Sequence, residues 1–426
     1  MMSTYAIIGA GPSGLASARA LSRRSIRVEG YEASHGVGGL WDITNPRSTV
    51  YESAHLISSR TTTEFAEFPM RTTVDYPGHR VLLDYFRDYA EHFGLNSLFR
   101  FGTTVTRLEP CDDGWDLTST GPEGEQTRRY DGVVLANGTL AHPNIPTFPG
   151  EFTGEVMHTS SYKSAAQLTG KRVLLIGAGN SGCDIAVDAV HRAASIDMSV
   201  RRGYYFVPRY LFGRPSDTLN QGRPLPARLK QAVDSRVLRA FTGDPVRFGF
   251  PKPDYRIYES HPIVNTLVLH HLGQGDLRIR PDIERFDGDT VHFSDGTSGE
   301  YDLIILATGY RLDYPFVDRA HLQWQGAAPR LFLNMFPASF NGLYVVGMIE
   351  ASGIGWQGRY EQAELLAAYL DASAATATAF RDRVTGDPWP DVTGGYHYLG
   401  LDRMAYYVNK DAYRAAVRRE RAALDA

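Results

Sequence analysis

Two glycine clusters carry the most specific chemistry in this chain. Gly9, Gly11 and Gly14 follow the apolar run Ala6-Ile7-Ile8, and Gly177, Gly179 and Gly182 follow Val173-Leu174-Leu175-Ile176. Each GxGxxG stands between an expected strand and an expected helix, Leu15 to Leu21 and Asp184 to Val190. In that setting the first glycine permits a tight turn and the second lets backbone approach a pyrophosphate. The third allows close helix packing, and the helix N-terminus attracts phosphate charge. Pro12 and Ser13 complete the first loop, Asn180 and Ser181 the second. One such glycine reads as ordinary turn chemistry; the repeated set reads as two dinucleotide sites. The sites differ where specificity is decided. Glu32 lies about 18 residues beyond Gly14, where a carboxylate binds ribose hydroxyls. At the corresponding place after Gly182 stand Arg201 and Arg202, cations suited to a 2′-phosphate. The first copy is accordingly assigned FAD and the second NADPH.

These residues require a matching framework, and the sequence repeats that framework too. Polar hairpins at Gly114 to Tyr130 and Asp289 to Tyr301 each lead into a buried strand, Val133 to Leu135 and Ile304 to Leu306. The expected fold is α/β with two Rossmann-like dinucleotide-binding domains, the NADPH domain inserted into a discontinuous FAD domain. The expected bounds are 1–150 and 313–390 for FAD and 151–312 for NADPH. Residues 203–281 form a long insertion able to cover the active site, carrying His261, Pro262 and Asn265, and 391–426 is a helical tail. A charged amphipathic helix is expected at Asp411 to Leu424, packing on the body or on a second subunit as a homodimer. At 426 residues, 43% hydrophobic and 22% charged, the chain can bury more than one core. Lys+Arg 44 against Asp+Glu 48 leaves no basic excess for nucleic acid, so small molecules are the expected partners. Cys111, expected in a loop, and Cys183 form neither a CxxC pair nor a disulfide framework. No stretch approaches the roughly 18 apolar residues of a membrane span, and no basic leader precedes Tyr5, so a cytoplasmic protein is expected.

Between the two halves runs Phe152-Thr153-Gly154-Glu155-Val156-Met157-His158-Thr159-Ser160-Ser161-Tyr162. It resembles the FxGxxxHxxx(Y/F) fingerprint of class B flavoprotein monooxygenases, in particular the flavin-containing monooxygenase branch. The resemblance extends to Gly38-Gly39-Leu40-Trp41, Ala307-Thr308-Gly309-Tyr310 and Gln357-Gly358-Arg359-Tyr360, and covers the chain from about residue 5 to residue 370. It implies FAD contacts at Gly39, Leu40, Trp41, Val105, Thr308 and Gly309 beside those of the first loop, and an NADP contact at Tyr162. It also implies the chemistry: NADPH reduces FAD, O2 adds at flavin C4a, and retained NADP⁺ shields the hydroperoxide until a soft N, S or electron-rich carbon nucleophile takes the distal oxygen. The residues agree by elimination, since paired cysteines and metal-ligand motifs are lacking and O2 is the simplest electron acceptor. No metal is expected.

With the chemistry carried by flavin, no catalytic triad is expected; the candidates beside the ring are Ser58, Arg60 and Gln357. Arg60 stands where the resembling family commonly has asparagine. Its charge would favour a peroxide anion and Baeyer-Villiger attack on ketones, the runner-up reading, whereas an ion pair with Glu64 or Glu67 would make it structural. An NADPH oxidase or reductase and a non-catalytic nucleotide sensor complete the alternatives.

Overall fold

The apolar runs that precede the glycines become central parallel strands because helices or antiparallel sheets cover both of their faces. In the computed structural model, which describes residues 3–220 and 225–426, Thr4–Ile8 and Arg172–Ile176 each lie third in a five-stranded sheet. Positions 221–224 of the expected insertion lie outside the described residues. In the first sheet Leu343–Val345, Gly132–Leu135, Thr4–Ile8, Arg27–Tyr31 and Phe99–Arg100 run parallel in that order. In the second, Glu155–His158, Leu303–Leu306, Arg172–Ile176, Ser195–Ser199 and Arg278–Arg280 do the same. The copies therefore match strand for strand, except that the first position is filled from later in the chain in one and from earlier in the other.

Each central strand turns through its glycines into a helix, Pro12–Arg23 or Asn180–Val190. Proline is tolerated at the start of Pro12–Arg23 because the first helical amide has no intrahelical acceptor. Both expected hairpins are present, each extended by a third antiparallel strand: Thr104–Cys111 beside Gly114–Gly121 and Gly124–Tyr130, and Ile283–Asp287 beside Thr290–Phe293 and Ser298–Glu300. Cys111 thus ends a strand, paired with Gly114, and is not in a loop.

The first core is closed by helices from the end of the chain. Gly355–Asp371 packs between Pro12–Arg23 and Lys410–Asp425. That last helix, capped by Asn409, buries Tyr413, Ala416, Val417 and Leu424 against the body, each large side chain contributing about 1.5–3 kcal/mol. Gln362, fully buried, needs partners for both ends of its amide: its Oε1 accepts from Gly347 N at 2.8 Å and its Nε2 donates to Tyr413 Oη at 2.6 Å. Two short connections between the sheets run side by side, His142–Pro143 pairing antiparallel with Tyr310–Arg311.

Candidate functional site

The two glycine loops repeat each other atom for atom. Gly9 N donates to Tyr31 O at 2.8 Å and Gly177 N to Ser199 O at 3.0 Å, tying each loop to the neighbouring strand. Both glycines have left-handed φ, +104° and +103°, and a Cβ on either would lie 2.7 Å or 2.6 Å from the carbonyl oxygen of Ala136 or Ala307. A Cβ on Gly14 would lie 1.8 Å from Gly9 O, and one on Gly182 2.5 Å from Gly177 O. The first and third glycines are therefore demanded by the protein's own packing. The middle ones are not: a Cβ on Gly11 would meet only Gly39 Cα at 3.6 Å, and one on Gly179 nothing within 4 Å. Neither middle glycine has positive φ. That side of the backbone is open at Gly179 and in ordinary contact with Gly39 alone at Gly11, each at a helix N-terminus, the form a cradle for a pyrophosphate takes. Gly38 N bonds Ala10 O at 3.0 Å, bringing Gly39, Leu40 and Trp41 onto the first loop, where Trp41 meets Trp356 edge to face at 5.9 Å.

Glu32 is buried at the end of Arg27–Tyr31, with Oε2 accepting from Ala10 N at 2.7 Å and Oε1 from Ser34 N at 2.8 Å. The carboxylate is held in place while each oxygen keeps a lone pair for a ribose hydroxyl. Val105 is buried in the same cluster as Tyr31, and Thr103 N donates to Glu32 O at 2.9 Å. In the second copy the loop bond aligns Ser199 with Tyr31. The position of Glu32 is consequently held by buried Val200, and Arg201 and Arg202 follow it by one and two residues, a one-residue correction to the sequence register. No carboxylate occupies this strand end, and neither arginine forms an ion pair with a described residue.

Two expected nucleotide contacts also bond within the protein. Tyr162 is fully buried, tilted against Tyr51, and its hydroxyl donates to Asp188 at 2.8 Å, which anchors the linker to the helix Asn180–Val190. The Asn180 side chain donates to Pro262 O at 3.3 Å and accepts from Val264 N at 2.7 Å, which leaves its main chain for phosphate. The rest of the fingerprint is structural as well. Phe152 packs on Phe286, and a Cβ on Gly154 would come within 2.7 Å of the Phe152 ring. His158 accepts from Ser160 N at Nδ1 and so carries its proton on Nε2, 3.0 Å from Gly309 O; burial lowers its pKa and keeps it neutral. Thr308 Oγ1 donates to Asn144 O at 2.5 Å, fastening the same crossing.

The segment expected to face flavin is organised from a distance. Asp217, from the insertion, accepts from Ser59 N at 2.7 Å and from Thr62 Oγ1 at 2.5 Å, fixing the turn Arg60–Thr63. Arg60 Nη1 lies 3.9 Å from Glu64 Oε2, its Nε is buried without a hydrogen-bond partner among the described residues, and Ser58 is half-buried. Gln357 Oε1 accepts from Ala66 N at 2.8 Å, joining this segment to the helix Gly355–Asp371. The insertion also reaches both copies: Tyr76 Oη donates to Arg209 O at 2.6 Å, Asn265 Nδ2 donates to Asp184 at 2.6 Å, and Leu399 N donates to Glu259 O at 2.9 Å. The bonds of Asp217 to Ser59 and of Arg209 to Tyr76 gave no sequence signal, since each spans more than a hundred residues. A cleft of ≈ 400 Å³ lined by Phe332, Arg383, Trp389 and Arg419 shares no residue with either loop. Among the described residues no cluster of His, Cys, Asp or Glu could hold a metal, and no helix is long and apolar enough to cross a membrane.

The profile of the family described as "FMO-like: Flavin-binding monooxygenase-like" matches residues 3–369. The chain belongs to this family. Flavin-containing monooxygenase 5 of Oryctolagus cuniculus is 30% identical to it over 373 residues, 82% of this chain and 69% of that protein. Two solved structures share the fold. S-allyl-L-cysteine S-oxygenase from Allium sativum has a TM-score of 0.69 at 20% identity, covering 99% of this chain and 89% of its own. Cyclohexanone monooxygenase from Rhodococcus sp. Phi1 bound to NADP⁺ has a TM-score of 0.72 at 19% identity, covering 100% and 97%. As a member of the FMO-like family the chain is a flavin-dependent NADPH monooxygenase, with FAD and NADPH as its cofactors.

Proposed function

We propose that this monooxygenase transfers one atom of O2 to a soft nucleophilic centre of a small molecule: an amine nitrogen, a sulfide sulfur or an electron-rich carbon. The observation that carries the reading is the pair of middle glycines, Gly11 and Gly179, where the protein's own packing does not exclude a Cβ and which suit two pyrophosphates. FAD belongs at the loop fixed to Glu32 and NADPH at the loop followed by Arg201 and Arg202. This divides the chain into an FAD unit of residues 1–150 and 313–390 and an NADPH unit of 151–312, a division supported by the pairing of Leu343–Val345 with Gly132–Leu135.

When bound, NADPH supplies the hydride and FAD the oxygen-activating chemistry. The chain's own residues bind, orient and exclude water. Glu32 accepts ribose hydroxyls through oxygens already anchored by Ala10 and Ser34. Arg201 and Arg202 pair with the 2′-phosphate. Asp217, Arg209 and Asn265 draw the insertion over the junction and keep water from it. The Glu64 carboxylate close to Arg60 offsets the cation that ketone oxygenation would call upon, which favours soft nucleophiles over Baeyer-Villiger substrates.

The test supplies holoenzyme with NADPH and O2 and screens amines, sulfides, indoles and cyclic ketones by product mass. A soft nucleophile should gain one oxygen with product per NADPH near unity. Peroxide release without product across every class would overturn the proposal, and turnover of ketones alone would replace it with the Baeyer-Villiger reading.

A further inference from the structure

One residue of the insertion stands between the two cofactor loops with an unused hydrogen-bonding atom. The stretch His261–Val264 is pinned to the second loop by Asn180, which bonds Pro262 O and Val264 N. Backbone bonds to Tyr205 O and from Val207 N also tie Ile263 to the segment just beyond Arg201 and Arg202. From that anchored position His261 reaches the other unit: its Nδ1 lies 3.1 Å from Tyr407 Oη, which lies 3.2 Å from Ser352 Oγ. Ser352 belongs to the segment 347–354, which leaves the C-terminal end of the strand Leu343–Val345. This is the edge at which open parallel sheets bind ligands. Gly347 at its start abuts Ser13 of the first loop. The other ring nitrogen of His261, Nε2, is buried and has no hydrogen-bond partner. Around the ring stand Arg403 and Glu350, which are 3.0 Å apart and engaged with each other.

A buried imidazole nitrogen without a partner loses its hydration with nothing in return, so its retention calls for an occupant. The occupant must reach a point bounded by the second loop on one side and the ligand edge of the first sheet on the other. With NADPH on the second loop, the part of it that must cross toward the flavin is the nicotinamide end. The nicotinamide carboxamide carries both a donor and an acceptor, and so satisfies Nε2 in either tautomer of a neutral ring.

We propose that His261 is a positioning residue that hydrogen-bonds the nicotinamide carboxamide through Nε2, with Tyr407 and Ser352 fixing the ring. The inference rests on the assignment of NADPH to the second loop and adds to it a contact supplied by the insertion. His261 touches no reacting atom; it sets where the nicotinamide lies.

The test compares two probes on oxidised holoenzyme by isothermal titration: NADP⁺, and 2′-phospho-ADP-ribose, which lacks the nicotinamide. His261→Ala should weaken NADP⁺ by about tenfold and leave 2′-phospho-ADP-ribose within about twofold, while His261→Gln, which keeps a polar end, should recover most of the loss. Equal weakening of both probes would assign His261 a merely structural role and overturn the proposal, as would unchanged NADP⁺ affinity in His261→Ala. Arg201→Ala with Arg202→Ala separates the two levels. If that pair weakens both probes while His261→Ala moves neither, the contact is wrong and the second loop stands. If the arginine pair moves neither probe, the loop assignment falls with it.

Discussion

Replacing Gly179 by Ala separates folding from nucleotide binding. The position has φ −68° and ψ 177°, open to any residue, and a Cβ there meets nothing within 4 Å. The folded state should barely change: the melting temperature of the flavin-loaded variant should stay within about 3 °C of the wild type, since the helix-capping difference between Gly and Ala is at most about 1 kcal/mol. NADPH should respond quite differently. A methyl group on the face where backbone meets pyrophosphate displaces phosphate from at least one main-chain N–H, and such a charge-assisted bond contributes about 1.5–3 kcal/mol. At about 2 kcal/mol, kcat/KM for NADPH falls roughly thirtyfold. Gly182→Ala is the internal contrast, because its Cβ would lie 2.5 Å from Gly177 O; it should cost solubility or stability before any kinetic measurement is possible. The assay is steady-state NADPH oxidation alongside thermal unfolding followed by flavin release. A Gly179→Ala enzyme with unaltered kcat/KM, or one as unstable as Gly182→Ala, would refute the division of labour among the three glycines.

The same logic predicts that Gly11→Ala gives soluble protein with little flavin absorbance, and a yellow, fully loaded variant would count against the first loop. Arg201→Ala with Arg202→Ala should raise KM for NADPH far more than for NADH, and an unchanged preference would dismiss both as 2′-phosphate ligands. His261 provides a pH test. Burial, aided by the Arg403 charge, lowers its imidazole pKa to about 3, below the unfolded value near 6.5. The folded state therefore holds the neutral ring, its stabilisation is complete above about pH 6.5, and it is lost at up to about 1.4 kcal/mol per pH unit as pH falls toward the folded pKa. His261→Gln should flatten urea-unfolding stability between about pH 6.5 and 4, and an identical slope in both proteins would contradict a buried neutral histidine.

What could be read from the residues alone was what local geometry enforces. Gly14 and Gly182 meet Gly9 O and Gly177 O within one turn, so their spacing already carried the strand, turn and helix, whereas the contacts of Gly9 and Gly177 with Ala136 and Ala307 come only from the adjacent strand. Glu32 closes on Ala10 N and Ser34 N at the end of the next strand. The arginines were displaced by one residue because the strand register is set by the bond from Gly177 N to Ser199 O, which sequence spacing does not contain. Tyr162 illustrates a different limit. A motif position says that an aromatic is required, and the packing against Tyr51 and the bond to Asp188 are contacts that its spacing does not contain. Asn180 looked like a loop residue for phosphate, yet its amide serves the insertion. Asp217 was invisible because its contacts to Ser59 and Thr62 lie on a segment remote in sequence.

The order of strands in the first sheet also bears on how the protein is made. Leu343–Val345 is hydrogen-bonded to Gly132–Leu135, although roughly 200 residues of chain lie between them, roughly 10 to 40 s of synthesis at about 5–20 residues per second. Every strand of the second sheet is translated within that interval, so the nested unit can mature while the unit that begins the chain still waits for its last strand. Gln362, which secures Gly347 opposite the first glycine loop, then waits in turn for Tyr413 from the final helix. On the proposed assignment of the two loops, the dinucleotide site encoded second can be complete first, and flavin capture is expected among the later events of biosynthesis.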